Sequence, residues 1–451
     1  MITCQILPSP ATGKNRRIEL SGIDLWLNVW INNIFVYPSV LDIDQLKKAV
    51  GHALARYPLV SGQLLLLNSD RYFIEMSDHS IPISFTENNE LSKWPLDSTV
   101  VISDGHTLFK PYLSPVPTEQ STDNSQHEPL FHMKLTHIVQ SDELIMGISW
   151  SHILGDGASC LDFLSTVSRL YQNLEPLKPD PIFERRLWQE NEADQSFVPV
   201  LKLLRDAEPK EHVMTNFMSY LAPYEQINLK FSSEQLAQLH KLAGEPNVTI
   251  QDALTAYIIL LLNTYCFDDD EQQITHAGTI INFRGVSNSI APIGQIANSV
   301  FLMLSTDFED PQSLSSIALT IRSSIIKSRD RTFLEPCLAT MDSLMRKIAR
   351  EARVCRIQHY RNEIIVNSNL KFDWANLVDF GHKDQCRFYT TGAGPFYLRI
   401  FRLNPIHDGM QWVERDRQGA EVAFLINKNI KSRFMNAWHK DIEENFALWK
   451  K

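Results

Sequence analysis

Three prolines in the segment Leu174-Glu175-Pro176-Leu177-Lys178-Pro179-Asp180-Pro181 stop any helix that reaches them, because proline lacks the amide donor of a helix interior and clashes with the preceding turn. A polar crossing follows, to about Pro223. The chain has 451 residues, and single hydrophobic cores rarely grow past about 250–300, so two cores joined by a crossover are expected. The expected divisions are 1–180, 181–225 and 226–451. Within the first, Leu46, Val50 and Leu54 form a helical stripe along Asp44 to Tyr57. Leu113 to Pro129, rich in Pro, Ser, Thr, Asn and Gln, reads as an exposed excursion. Within the second, Ser232 and Ser233 before Glu234 mark a helix start, and Leu236 and Leu239 begin its apolar face. No internal repeat is visible.

Chemistry concentrates at Ser151-His152-Ile153-Leu154-Gly155-Asp156-Gly157. The run Leu144 to Trp150 before it is short and apolar, which suits a buried strand. Leu161, Leu164, Ser168 and Tyr171 after it recur at helical spacing. His152 therefore sits in a turn leaving a strand, and imidazole is the side chain that takes and returns a proton near neutral pH. By itself the pattern arises by chance in about one such chain in twenty. The plainer reading is a capped helix start, with Asp156 or Ser159 holding backbone amides and His152 merely packed.

Charge and cysteine usage exclude several classes. With 43 basic against 53 acidic residues the net charge is −10, which argues against nucleic acid or an anionic membrane as partner. The apolar run from Asp24 to Pro38 is interrupted by Asn28, Asn32 and Asn33, and Tyr257 to Tyr265 is too short to span a bilayer. A charged-then-apolar secretory start is absent. Cys4, Cys160, Cys266, Cys337, Cys355 and Cys386 are dispersed, which favours reduced thiols, a cytoplasmic location and no metal. His127, His132 and His137 are expected on loops or at the surface, and Asp268-Asp269-Asp270-Glu271 as a solvated turn.

A second motif, Val378-Asp379-Phe380-Gly381-His382, lies late in the chain. Together with His152 to Gly157 it resembles the BAHD acyltransferases, and the resemblance extends over nearly the whole chain. Further matches are Leu20-Ser21-Gly22-Ile23-Asp24 with Val36-Tyr37-Pro38, Tyr57-Pro58-Leu59-Val60-Ser61-Gly62, Val248 to Ala256, Asn282-Phe283-Arg284, Pro292 and Ala297-Asn298. The resemblance implies an α/β (α+β) fold of two chloramphenicol-acetyltransferase-like domains, each a mixed sheet flanked by helices, with a channel between them. It implies acyl-CoA as co-substrate, no permanently bound cofactor, a small-molecule alcohol or amine as acceptor, and a monomer.

Residue roles follow the motifs. His152 would be the general base, and Gly157 would let backbone approach the reacting centre. Asp156 would turn away to pair with Arg284, as the resemblance implies, with direct orientation of His152 as the alternative. Asp379, Phe380 and Gly381 would be structural. Thr249, Asp252, Asn298, Ser368 and Trp374 are candidates for binding acyl-CoA or acceptor. Two departures stand out: His382 and Lys383 replace the usual Trp-Gly after Asp-Phe-Gly, and Ser368-Asn369 stands where many members have Ser-Trp. Asn369 could donate to an oxyanion, and so could Trp374. Rival readings are a carrier-protein condensation domain, which usually has a second histidine where this chain has Ser151, a thiol acyltransferase using Cys160, and an inactive binding relative.

Overall fold

Apolar side chains dominate Trp30–Tyr37, Phe131–Ile138 and Glu143–Ser151, and these strands lie together inside a six-stranded sheet. Its order is Ile2–Ile6, Ile81–Asn88, Phe131–Ile138, Glu143–Ser151, Trp30–Tyr37 and Arg387–Thr390. Ile81–Asn88 and Phe131–Ile138 run parallel, and the other neighbours antiparallel. Helices Ile43–Arg56 and Gly157–Tyr171 pack side by side, burying Leu46, Val50 and Leu54 of the first with Phe163, Leu164 and Val167 of the second. The structure is a computed structural model describing residues 2–12, 16–27, 29–67, 71–118, 128–177, 180–268, 272–356 and 358–449. Asn28, residues 119–127 of the excursion, Pro179, Asp269, Asp270 and Glu271 lie outside them.

The second body is built around another six-stranded sheet, in the order Tyr224–Phe231, Ala420–Asn427, Tyr397–Arg402, Glu363–Ser368, His276–Asn282 and Val300–Leu304. Helix Ile250–Tyr265 is apolar almost all round and buried from Asp252 to Asn263, as a helix without a polar face must be. The crossover is less polar in effect than its composition suggests. Phe183 is buried, Arg185 is buried with it, and Lys210–Leu221 forms a helix.

One strand overturns the expected division at 226–451. Arg387–Thr390 pairs antiparallel with Trp30–Tyr37 and closes the edge of the first sheet. Helix Trp374–Leu377 packs on Gly157–Tyr171 just before it. Residues 374–390 therefore belong to the first body, although they are late in the chain. The cause is burial on both sides: Phe388 joins the core beneath the helices, and Tyr389 joins the cluster on the opposite face. An apolar strand edge at this depth needs a partner for its backbone groups.

The Asp-Phe-Gly turn fastens this excursion. The Phe380 amide donates to Ser168 Oγ at 2.9 Å, and Asp379 Oδ1 accepts from Gln172 Nε2 at 3.1 Å. The Phe380 ring meets Tyr37 and Tyr171 edge-on. Ser168, Tyr171 and Gln172 sit at the C-terminal end of the 15-residue helix whose N-terminus follows the His152 turn. At about 1.5 Å per residue the helix separates the two motifs by roughly 22 Å.

His132 departs from its expected position: it lies on strand Phe131–Ile138, buried against the edge of Trp30. His137 lies on the same strand, half-buried, and meets the exposed Asp142 at 3.1 Å.

Candidate active site

Strand Glu143–Ser151 ends one residue before His152, whose amide donates to the Val29 carbonyl at 3.0 Å. The chain then folds sharply through Ile153 and Leu154 to Gly155, which has φ 150°. A Cβ at Gly155 would lie 2.6–2.9 Å from Ser159 Oγ, Ser159 Cβ and the Ala297 carbonyl oxygen, so this position has room only for glycine. The same construction at Gly157 meets Trp374 Cζ2 at 3.6 Å, an ordinary contact. The second body presses on the turn at Gly155, while Gly157 faces the Trp374 ring.

Asp156 has its side chain turned to that second body. Arg284 Nη1 donates to its Oδ2 at 2.8 Å and Nη2 to its Oδ1 at 3.1 Å, a fork on a fork. The Ser299 amide adds a bond at 2.9 Å, and the Ser159 amide, at the helix start that Asp156 caps, one at 3.1 Å. Burial pushes the Asp156 carboxyl up, and the Arg284 guanidinium with these amides outweighs it and holds the pKa below the usual value. Capping and ion pairing coexist in one carboxylate.

A second buried pair supports the other side of the turn. Asp24 and Arg185 meet at 3.3 Å, and Arg185 also reaches the Leu154 carbonyl. Asp24 Oδ1 accepts from the Asn298 amide at 2.9 Å, while Asn298 Nδ2 donates to the His152 carbonyl at 2.8 Å. Asn298 therefore fixes the backbone of His152. The imidazole stacks obliquely on Trp26, with ring centroids 5.4 Å apart. Burial lowers the His152 pKa, opposed by Asp156, by its own carbonyl and by Asn298. His152 Nδ1 is buried with no hydrogen-bond partner among the described residues.

The remaining candidates separate. Trp374 comes to the His152 turn, lying over Gly157 and stacked on Phe388 at 4.9 Å, with its indole N–H buried and unpartnered among the described residues. Asn369 follows the strand end at Ser368; its amide donates to the Ile400 carbonyl, and its side chain has no hydrogen bond among the described residues. Ser368 Oγ accepts from the Leu370 amide. Thr249 and Asp252 bond each other as the capping box of helix Ile250–Tyr265, and Arg322 closes on both. No described contact joins that pair to His152. Cys160 is buried, and burial raises its thiol pKa well above the ordinary value, so it lacks the accessible thiolate of a nucleophile.

Sequence reading did not single out Arg185, Trp26, Ser299 or Gly155 as parts of this site. Gly155 stood inside the motif, and the other three carry no local pattern. Among the described residues no group of three His, Cys, Asp or Glu side chains is placed to hold a metal ion, and no helix is long and apolar enough to cross a membrane.

The Transferase family, whose members are the BAHD acyltransferases, matches residues 2–389, most of the chain. The chain belongs to that family. Protein ECERIFERUM 2 of Arabidopsis thaliana is 23% identical over 189 residues, which is 39% of this chain and 43% of that protein. The matched part thus spans less than half of that relative. Across the solved structures, vinorine synthase superposes with a TM-score of 0.61 at 16% identity, covering 96% of this chain and 95% of its own. TRI101 of F. graminearum, crystallised with coenzyme A and deoxynivalenol, also gives 0.61, at 15% identity over 95% and 98% of the two chains. These likenesses show that the fold is that of two sheet-and-helix bodies shared by BAHD acyltransferases.

Proposed function

We propose that this BAHD family member transfers an acyl group from acyl-CoA to the hydroxyl or amine of a small molecule, with His152 as general base. The observation that carries this reading is the division of labour at the turn: Asp156 is engaged by Arg284, while a histidine of lowered basicity stands beside it. With Nδ1 buried, Nε2 is the nitrogen left to act. It takes the acceptor proton as the acceptor oxygen or nitrogen attacks the thioester carbon. When the tetrahedral intermediate collapses, the C–S bond breaks and the departing thiolate takes the proton back from His152. Thiolate leaves readily because thiol pKa values lie near about 8.5, and a base so placed contributes about 10²–10⁴-fold.

Negative charge on the thioester oxygen needs a donor, and Trp374 suits that role better than Asn369. Its unpartnered indole N–H lies in the ring that covers Gly157. Six free cysteines agree with a reducing, cytosolic location. The deciding experiment offers a panel of acyl-CoA donors and small alcohols and amines to wild type and His152→Ala, and follows free thiol. Turnover in wild type that falls below a tenth in the variant supports the reading; equal turnover removes His152 from the chemistry, and tight CoA binding without turnover leaves a binding protein.

A further inference from the structure

Arg399 stands on strand Tyr397–Arg402 of the second sheet, on the face turned to the first body. Its opposite neighbour Ala423 and the next residue on that face, Phe401, both pack into the first body's core. The guanidinium hangs from the loop that carries the chain between the sheets: Nη1 donates to the Thr391 carbonyl at 2.7 Å and to the Gly392 carbonyl at 3.3 Å. Gly392 has φ 92°, and a Cβ there would come within 2.9 Å of that Nη1, so glycine makes the space. No carboxylate of a described residue meets this arginine. Nε is buried and unpartnered, and Nη2 has no acceptor among the described residues.

The free edge has a specific shape. Nε–H and one Nη2–H point the same way and match the two oxygens of a carboxylate. This protein uses that edge in the same manner elsewhere: Arg71 on Glu19, Arg205 on Asp206 and Arg417 on Asp384 each bond through Nε and Nη2. At Arg399 the edge is formed and its anion is missing from the chain. The guanidinium is half-buried and lies over the Phe401 ring, 5.1 Å from its centroid, which meets its face and leaves its edge without a counter-ion, so a ligand that supplies one is favoured.

A second donor faces the same way. Tyr397 is two residues earlier on the strand and therefore shares the face. Asn367 Nδ2 donates to the Tyr397 hydroxyl oxygen at 2.7 Å, which leaves the phenol proton free to be given to an acceptor. The position connects to the proposed chemistry through the first sheet. Thr390 pairs with Asn33, and Asn33 with Ile148, four residues before His152. Two strand spacings, about 10 Å, and four residues along the strand, about 13 Å, put Thr390 roughly 16 Å from His152.

We propose that Arg399 and Tyr397 form a subsite for a substrate carboxylate, so that this enzyme's acyl group or its acceptor carries a free carboxylate. The proposal deepens the acyltransferase reading and rests on it for the words donor and acceptor. Its test needs no turnover: equilibrium binding of malonyl-CoA and succinyl-CoA against acetyl-CoA and butyryl-CoA, by calorimetry, on wild type, Arg399→Met, Arg399→Lys and Tyr397→Phe. A parallel arm, with acetyl-CoA present, compares 3-hydroxybutyrate and 4-hydroxybenzoate with their methyl esters. In one arm the carboxylate form should bind wild type about tenfold tighter or more, as a charge-assisted pair requires, and the ratio should fall towards one in Arg399→Met. The arm that responds identifies which substrate carries the group. No preference in either arm overturns the proposal, and so does an equal loss for all CoA ligands in the variants, which would make Arg399 a contact to CoA itself. If Arg399→Met fails to fold, the same ratio is read from Arg399→Lys, expected to be intermediate, and from Tyr397→Phe. Failure of the acyltransferase reading appears separately, as absence of thiol release in wild type.

Discussion

At the scale of single residues, His152 and Asp156 are pushed by their surroundings in ways that can be measured. Burial lowers the His152 pKa, so at a given pH the imidazole is neutral more often than a free one. The rate should therefore rise with pH only below the ordinary imidazole value of about 6.5 and stay level above it. A pH profile of kcat/KM that still climbs above neutrality would exclude His152 as the titrating base. The stability consequence has a definite sign: the unfolded chain binds the proton more readily, so stability is full above that value and is lost as pH falls towards the lowered one. Asp156 and Arg284 form a buried pair, and removing one partner should cost about 3–5 kcal/mol because the other charge is left uncompensated. Asp156→Ala and Arg284→Ala should each lower Tm, and the double variant should be far less damaged than their sum; additivity in that cycle would show no coupling. For the oxyanion, Trp374→Phe should reduce kcat by about 10²–10³-fold with little change in KM, and Asn369→Ala should have a small effect. Kinetics showing the reverse would move the donor to Asn369.

Elements explain which of these groups the sequence could display. The strand, turn and helix around His152 were legible because each carries its own period, and the turn's glycine and aspartate are local necessities. The pairing of Asp156 with Arg284 is joined by no local pattern, and only the family resemblance linked them. Arg185 was invisible, because a buried arginine in a polar crossing looks like any surface arginine until its partner Asp24 is known. The Asp-Phe-Gly turn shows the converse, a legible motif whose work lies at the far end of the helix. There Ser168 Oγ is the acceptor for the Phe380 amide. Ser168→Ala leaves that buried donor unmet and should cost about 1–3 kcal/mol. Thermal melting checks the loss, and kcat should change far less than in the Trp374 variant.

For the whole molecule, two cores were readable from length and the proline break, and their sheets and helical coats from the family resemblance, but the seam between them was not. Strand Arg387–Thr390 crosses it, since nothing in a four-residue strand announces which sheet will receive it. The fold should therefore melt as one unit, with a single calorimetric transition for the full chain. Residues 1–225 expressed alone should lack a cooperative transition and associate through the bare edge of Trp30–Tyr37; a soluble, cooperatively melting fragment would contradict this. The crossing strand also restricts how such a gene can be recombined. A chimera that joins the first half of this chain to the second half of a relative, cut anywhere in the crossover, receives a foreign strand at Phe35 and a foreign turn at Ser168. Exchange of halves would succeed only when 374–390 travels with residues 1–180, so inheritance here follows the sheet rather than the order of the chain.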